Sequence, residues 1–162
     1  MSETPPTPNA GTGAPGDNSA PSLRVLAQYL KDHSFENPNA PQSFTDTGEQ
    51  PGMNVSVDTN ARTLGQDQYE VELSVSARAL RGEDVAFVIE TTYAGAFEIK
   101  NVPQEQMEAV LMVECPRLLF PFIRQIIAET TTAGNFPPIM LDPIDFFAVY
   151  QQQKAKAATQ TA

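Results

Sequence analysis

Residues 85–100 read VAFVIETTYAGAFEIK, and their chemistry separates by parity. Val85, Phe87, Ile89, Thr91, Tyr93, Phe97 and Ile99 fall on one parity, and Ala86, Val88, Glu90, Thr92, Ala94, Glu98 and Lys100 on the other. Successive side chains of a strand project to opposite faces, so the stretch predicts a long strand with one apolar face and one thin, acidic face. Gly95 interrupts the alternation and predicts a bulge or a close backbone approach. A strand of this length calls for partners along most of its course. Met53, Val55 and Val57 against Asn54, Ser56 and Asp58 predict a second strand, ended by a turn over residues 60–66. Tyr69, Val71, Leu73 and Val75 against Glu70, Glu72, Ser74 and Ser76 predict a third, joined to residues 85–100 by a tight turn at RGED. The run LRVLAQYLKDHSFE from Leu23 mixes apolar residues on both parities before alternating, and predicts a strand whose far end is polar on one side. Four strands with short connections and one longer loop predict an antiparallel sheet with one greasy and one wet face.

The period changes after residue 100. Pro103 suits the first position of a helix, and Glu105 and Glu108 complement its positive end. Met107, Val110, Leu111 and Glu114 share one stripe, and Pro116 predicts a kink or break beyond it. RLLFPFIRQIIAETTTAG then carries Leu118, Leu119, Phe120, Phe122, Ile123, Ile126 and Ile127 around its whole circumference. Such a helix must be buried on every side, and one sheet covers one side only. The pattern therefore predicts an oligomer. NFPPIMLDP is an extended apolar segment, and IDFFAVYQQQ predicts a short helix capped by Asp142.

Two long loops carry six of the fourteen prolines. NPNAPQSFTDTGEQPG crosses between the first two strands with Phe44 as an exposed aromatic, and long loops in compact domains are often functional. Residues 1–21 hold five Pro and three Gly with almost no large apolar side chain, and predict a disordered tail. Their formal G-x-G-x-x-G match is rejected, because no strand precedes it, Pro15 lies within it and no helix follows. The domain is placed at residues 22–153, with residues 154–162 as a flexible tail.

Charge and composition then narrow the partners. Ten Lys plus Arg against twenty Asp plus Glu give a net charge of −10, which disfavours nucleic acid and anionic membrane surfaces and suits a basic protein partner. The single Cys115 permits no disulfide within one chain. Neither a secretion signal nor an apolar run of about 18 residues is found, so a soluble, cytoplasmic protein without membrane insertion is predicted. His33, the sole histidine, reads as a surface residue. No Cys–His or Ser–His–Asp set, phosphate loop or metal cluster emerges, so no catalysis, cofactor or metal is predicted.

Four segments resemble the SecB family of bacterial export chaperones: Phe35-Glu-Asn-Pro-Asn-Ala-Pro41, the strand over residues 86–97, Cys115-Pro-Arg-Leu-Leu-Phe-Pro121, and Gly134-Asn-Phe-Pro-Pro-Ile-Met-Leu-Asp-Pro143 with Phe146 behind it. They occur in chain order between Leu23 and Gln153. The resemblance implies an α+β fold, a four-stranded antiparallel sheet with helices on one face, assembled as a homotetrameric dimer of dimers. It implies a chaperone that holds unfolded precursor proteins and delivers them to the motor ATPase SecA. In that family an acidic sheet surface docks the motor's basic, zinc-bearing C-terminal segment. By motif position this surface falls on Asp32, Glu36, Val88 and Glu90, and the opposite-parity Ile89, Thr91 and Tyr93 lie toward the tetramer interface. A groove for unfolded chains is expected between the two loops and the last helix, at Phe44, Val55, Val57, Phe136, Ile139, Leu141, Phe146 and Tyr150. The Trp that some relatives carry in the crossing loop is absent, and Thr47-Gly48-Glu49 occupies the region. A small-ligand carrier with a cavity between sheet and helices is the alternative, and native mass spectrometry separates the two.

Overall fold

The computed structural model describes residues 20–45, 48 and 50–160. The expected N-terminal tail, apart from Ala20 and Pro21, lies outside the described residues, as do Thr47, Glu49 and the last two positions. Strands β1 (Ser22–Glu36), β2 (Gly52–Gly65), β3 (Gln68–Arg81) and β4 (Asp84–Lys100) form one antiparallel sheet in the order β1-β4-β3-β2. The strand chosen for its parity, β4, is thus central. β2 is longer than its alternation suggested: the turn expected over residues 60–66 lies instead around Asp67, whose φ of 59° makes the tight reversal. Asn60 to Thr63 pair with Glu72 to Tyr69 and so belong to the sheet, because cross-strand partners outweigh their weak strand propensity.

β1 explains its own mixed parity. Its pairing with β4 skips Leu26, between Val25↔Phe97 and Ala27↔Ala96, and again skips Lys31, between Leu30↔Tyr93 and Asp32↔Thr92. Each extra residue reverses the alternation. Leu23, Val25, Gln28, Leu30, His33 and Phe35 therefore share the face of β4's apolar residues, and Tyr29, Asp32, Ser34 and Glu36 share the other.

Helices α1 (Gln104–Ala109) and α2 (Cys115–Ala133) are joined by one π-helical turn, Val110–Glu114. The break expected at Pro116 is absent. Proline cannot donate to the carbonyl four residues back, and the widened turn directly before it accommodates the lost bond. Pro103 caps α1 from just outside rather than opening it. α2 lies on the apolar face of the sheet, where Leu119, Ile123 and Ile127 bury completely against Val71, Leu73, Val75, Ile89 and Phe97. Gly95 is the close approach: a Cβ there would stand 2.8 Å from Phe97 and 3.0 Å from Leu119. The last helix, α3 (Phe146–Gln160), runs well past the predicted boundary at residue 153. Its first turn is capped by Asp145, whose Oδ1 accepts from Ala148 N at 3.1 Å, and not by Asp142. Residues 154–160 are thus helical; KAKAATQ contains neither Gly nor Pro, and straight-chain residues and Ala favour the helix.

Candidate functional site

On the outer face, the strand register gathers the predicted acidic residues. Glu36 pairs with Val88, Ser34 with Glu90 and Asp32 with Thr92, so Asp32, Glu36, Val88 and Glu90 share one end of that face. Asp32, Glu36 and Glu90 are exposed, and none has an ion pair or side-chain hydrogen bond among the described residues. They are brought together by the bulge at Lys31: without it Asp32 and Glu36 would point toward α2.

The other carboxylates of that face behave differently. Glu70 is only 4% exposed although no helix covers it. Arg62 Nε donates to its Oε1 at 2.7 Å, Lys31 Nζ at 3.1 Å, and the Tyr29 hydroxyl donates to Oε2. Lys31 also donates to Glu72. The Arg62 bond, then that from Tyr29, outweighs burial and holds the Glu70 carboxyl at about 2, against its ordinary 4.5. The sequence grouped Glu70 and Glu72 with the solvated carboxylates; the structure places them in a charge-balanced lattice instead.

The inner face corrects three expectations. Ile89 and Thr91 are 0% and 2% exposed beneath the chain's own α2, so neither can itself touch a second subunit. Only Tyr93 reaches an uncovered area, where its ring stacks on Phe122. His33 is not a surface residue: Nδ1 lies 2.9 Å from Thr91 Oγ1 and Nε2 3.0 Å from Thr130 Oγ1. Thr130 donates its own proton to Ile126 O, so it accepts from His33, and the ring ties β1 to β4 and to the end of α2. Cys115 is buried, which pushes its thiol up to about 12 and leaves it inert.

The predicted groove residues do not share one surface. Val55, Val57, Ile139 and Leu141 line an open cleft of about 410 Å³ together with Met53, Met140, Pro143 and Ile144. Its floor is β2 and its wall the segment after α2. That wall is pinned by α2, where Arg124 Nε donates to Leu141 O at 2.8 Å and Ile139 N donates to Thr131 Oγ1 at 3.0 Å. Phe44 and Phe136 join a separate aromatic cluster, with ring centroids 5.7 Å apart, and Phe136 packs on Phe87 at 4.7 Å. Gly134 makes room for Phe35 there, since a Cβ would stand 2.4 Å from that ring. Phe146 is 1% exposed and packs edge-on against Phe120, so it supports the fold and cannot line a groove. Tyr150 is partly buried on α3 under the Lys154 ammonium. Met53 and Met140, 42% and 56% exposed, were missed. Met53 continues the Val55–Val57 alternation, and that signal was in the sequence. Between the sheet and α2 the space is filled by Leu73, Val75, Phe97, Leu119 and Ile123; what remains between β2 and α1 is a cleft of about 550 Å³ open to solvent, not the enclosed cavity that the carrier alternative calls for.

A family model described as preprotein translocase subunit SecB matches residues 16–157. The chain belongs to the SecB family of protein-export chaperones. A protein-export protein SecB from Rhodopseudomonas palustris (strain BisB5) is 51% identical over 151 residues, covering 93% of this chain and 96% of that one. Another, from Maricaulis maris (strain MCS10), is 48% identical over 158 residues, covering 98% and 90%. A Mycobacterium tuberculosis SecB-like chaperone, solved with a ChAD peptide from an antitoxin, superposes with a TM-score of 0.62 over 75% of this chain and 90% of its own. At 14% identity that likeness concerns the fold. In this SecB-family chain no helix among the described residues is long and apolar enough to cross a membrane.

Proposed function

We propose that this SecB-family chain works in the cytoplasm as a homotetramer, a dimer of dimers, that captures unfolded precursors and hands them to SecA. The reading is carried by the cleft on β2. Met53, Val55 and Met140 stay 42%, 45% and 56% exposed while hydrogen bonds from α2 hold the backbone beside them. Half-exposed side chains of this size gain about 1 kcal/mol each when a ligand covers them. One cleft therefore binds weakly, and useful affinity comes from several copies engaging one long client. A folded protein presents no contiguous apolar segment to such a series of clefts, so selectivity is for the unfolded state.

Two further surfaces support the reading. Leu23, Val25, Leu30, Leu118 and Phe122, all between 38% and 47% exposed, leave apolar ground along the β1–α2 side for another subunit. Asp32, Glu36 and Glu90, with Val88 among them, suit the basic segment of SecA on the opposite face. Fluorescence anisotropy with one labelled precursor, unfolded and then folded, tests the proposal. Capture of the unfolded form alone, by a tetramer in native mass spectrometry, is expected; equal binding of both forms overturns the chaperone reading.

A further inference from the structure

The outer sheet face carries six carboxylates on β1, β3 and β4; Glu98 is paired with Lys100, and the other five, around Lys31, fall into two halves. Glu70 and Glu72 meet two cations, Lys31 and Arg62, with the Tyr29 hydroxyl as a further donor to Glu70. Asp32, Glu36 and Glu90 meet none within bonding distance among the described residues, although Arg78 stands opposite Val88 on the same face. One half is balanced and the other retains negative charge. Lys31 lies at their boundary. It occupies the β1 bulge immediately before Asp32, yet its ammonium bonds to Glu70 and Glu72.

We propose that Lys31 is a specificity-determining residue of the acidic docking face: with Arg62 and Tyr29 it neutralises the Glu70–Glu72 half and so confines a basic partner segment to the Asp32–Glu36–Glu90 half. The proposal rests on the docking reading above and adds what sets its limits. Glu72 pairs with Ala94, four strand residues from Glu90, or about 13 Å along β4. That exceeds the screening length of about 10 Å at 0.1 M salt, so each half presents its own local charge to a ligand. Glu72 is 24% exposed, hence open to a partner once its cation is removed, whereas Glu70 remains covered and bonded to Arg62. The bulge itself is fixed by the burial of Phe35 and His33 on the other face and does not depend on the Lys31 ammonium.

Calorimetric titration of the full-length assembly with the basic C-terminal segment of SecA, at about 0.1 M salt where the two halves are screened from each other, is the test. Lys31→Gln should tighten binding by about fivefold, the scale of one partly exposed charge pair. Glu72→Gln should leave wild-type affinity unchanged, and Lys31→Gln with Glu72→Gln should return to the wild-type value. Glu90→Gln, run beside them, must weaken binding; if it does not, the docking reading itself fails. If Glu90→Gln weakens binding but Lys31→Gln does not tighten it, only the confinement by Lys31 is overturned. Should Lys31→Gln not fold, Glu72→Gln alone decides, because a loss as large as that of Glu90→Gln would mean that the segment already uses both halves.

Discussion

The Tyr93 ring stacks on Phe122 with centroids 5.8 Å apart and planes 13° from parallel, joining the central strand to the helix above it. Phe122 is nevertheless 45% exposed, and Leu30 and Leu118 beside it are 47% and 42% exposed. Phe122→Asp should therefore leave the circular dichroism spectrum intact and reduce the mass seen by light scattering. Ile89→Arg should do the reverse: a charge placed at a fully buried position costs several kcal/mol, so the chain should unfold before its assembly can be measured. A wild-type monomer at micromolar concentration would end the assembly proposal.

Among the described residues Glu90 has no ion-pair or side-chain hydrogen-bond partner to lose. Glu90→Lys should fold, assemble and capture unfolded chains as the wild type does. Its affinity for the basic segment of SecA should fall, since one attraction becomes a repulsion, and the deficit should shrink as salt is raised. Calorimetry at two salt concentrations reads both effects. Equal affinities at low salt would move the docking site elsewhere.

The cleft and the core separate by substitution. Met140→Asp changes a side chain 56% exposed, so it should weaken capture of an unfolded chain without lowering the melting temperature. Phe146→Ala should destabilise the fold by about 3–5 kcal/mol, as truncation of a buried aromatic does. Its capture of clients, measured well below its melting temperature, should remain. Loss of capture in Phe146→Ala and none in Met140→Asp would put the binding surface at α3 instead.

Glu70 gives the stability a pH dependence of known sign. Its carboxyl sits at about 2 when folded and returns toward 4.5 when unfolded, so the unfolded chain binds its proton first. The resulting stability is fully present above 4.5 and is lost as pH falls toward 2. Arg62 is 61% exposed and Lys31 33%, so water screens the lattice and the contribution is about 1–2 kcal/mol. Urea unfolding at fixed protein concentration should show Glu70→Gln less stable at pH 7, with the gap closing between pH 4.5 and 2. A gap independent of pH would mean that the Tyr29, Lys31 and Arg62 bonds do not stabilise the ionised form.

Much of the candidate site was legible where a single period holds. β4 keeps its register from Phe87 to Lys100, its one shift against β3 falling earlier, at Ala86, so the placing of Val88 and Glu90 on the outer face and of Ile89 and Thr91 on the inner one follows from parity alone. β1 defeats the same rule. Its two extra residues, Leu26 and Lys31, look like any others in the sequence, and each reverses every later side chain. Likewise Phe146 and Val57 are equally apolar as letters, but only packing puts one in the core and leaves the other at the mouth of a cleft.

By itself, then, the sequence determined a four-stranded antiparallel sheet with helices on one face, a central acidic-and-apolar strand and an α2 too apolar for one sheet to cover, because those features depend on the order of neighbouring residues. The tertiary structure decided which carboxylates are free. Glu70 and Glu90 are both strand glutamates on the outer face, separated by the residues that happen to reach them. Tyr29, Lys31 and Arg62 come from strands 39–41 and 8 residues away from Glu70 in the chain, and only the bulge and the sheet order bring them to it. Charge balance is a property of distance in space, and no local pattern along the chain encodes it.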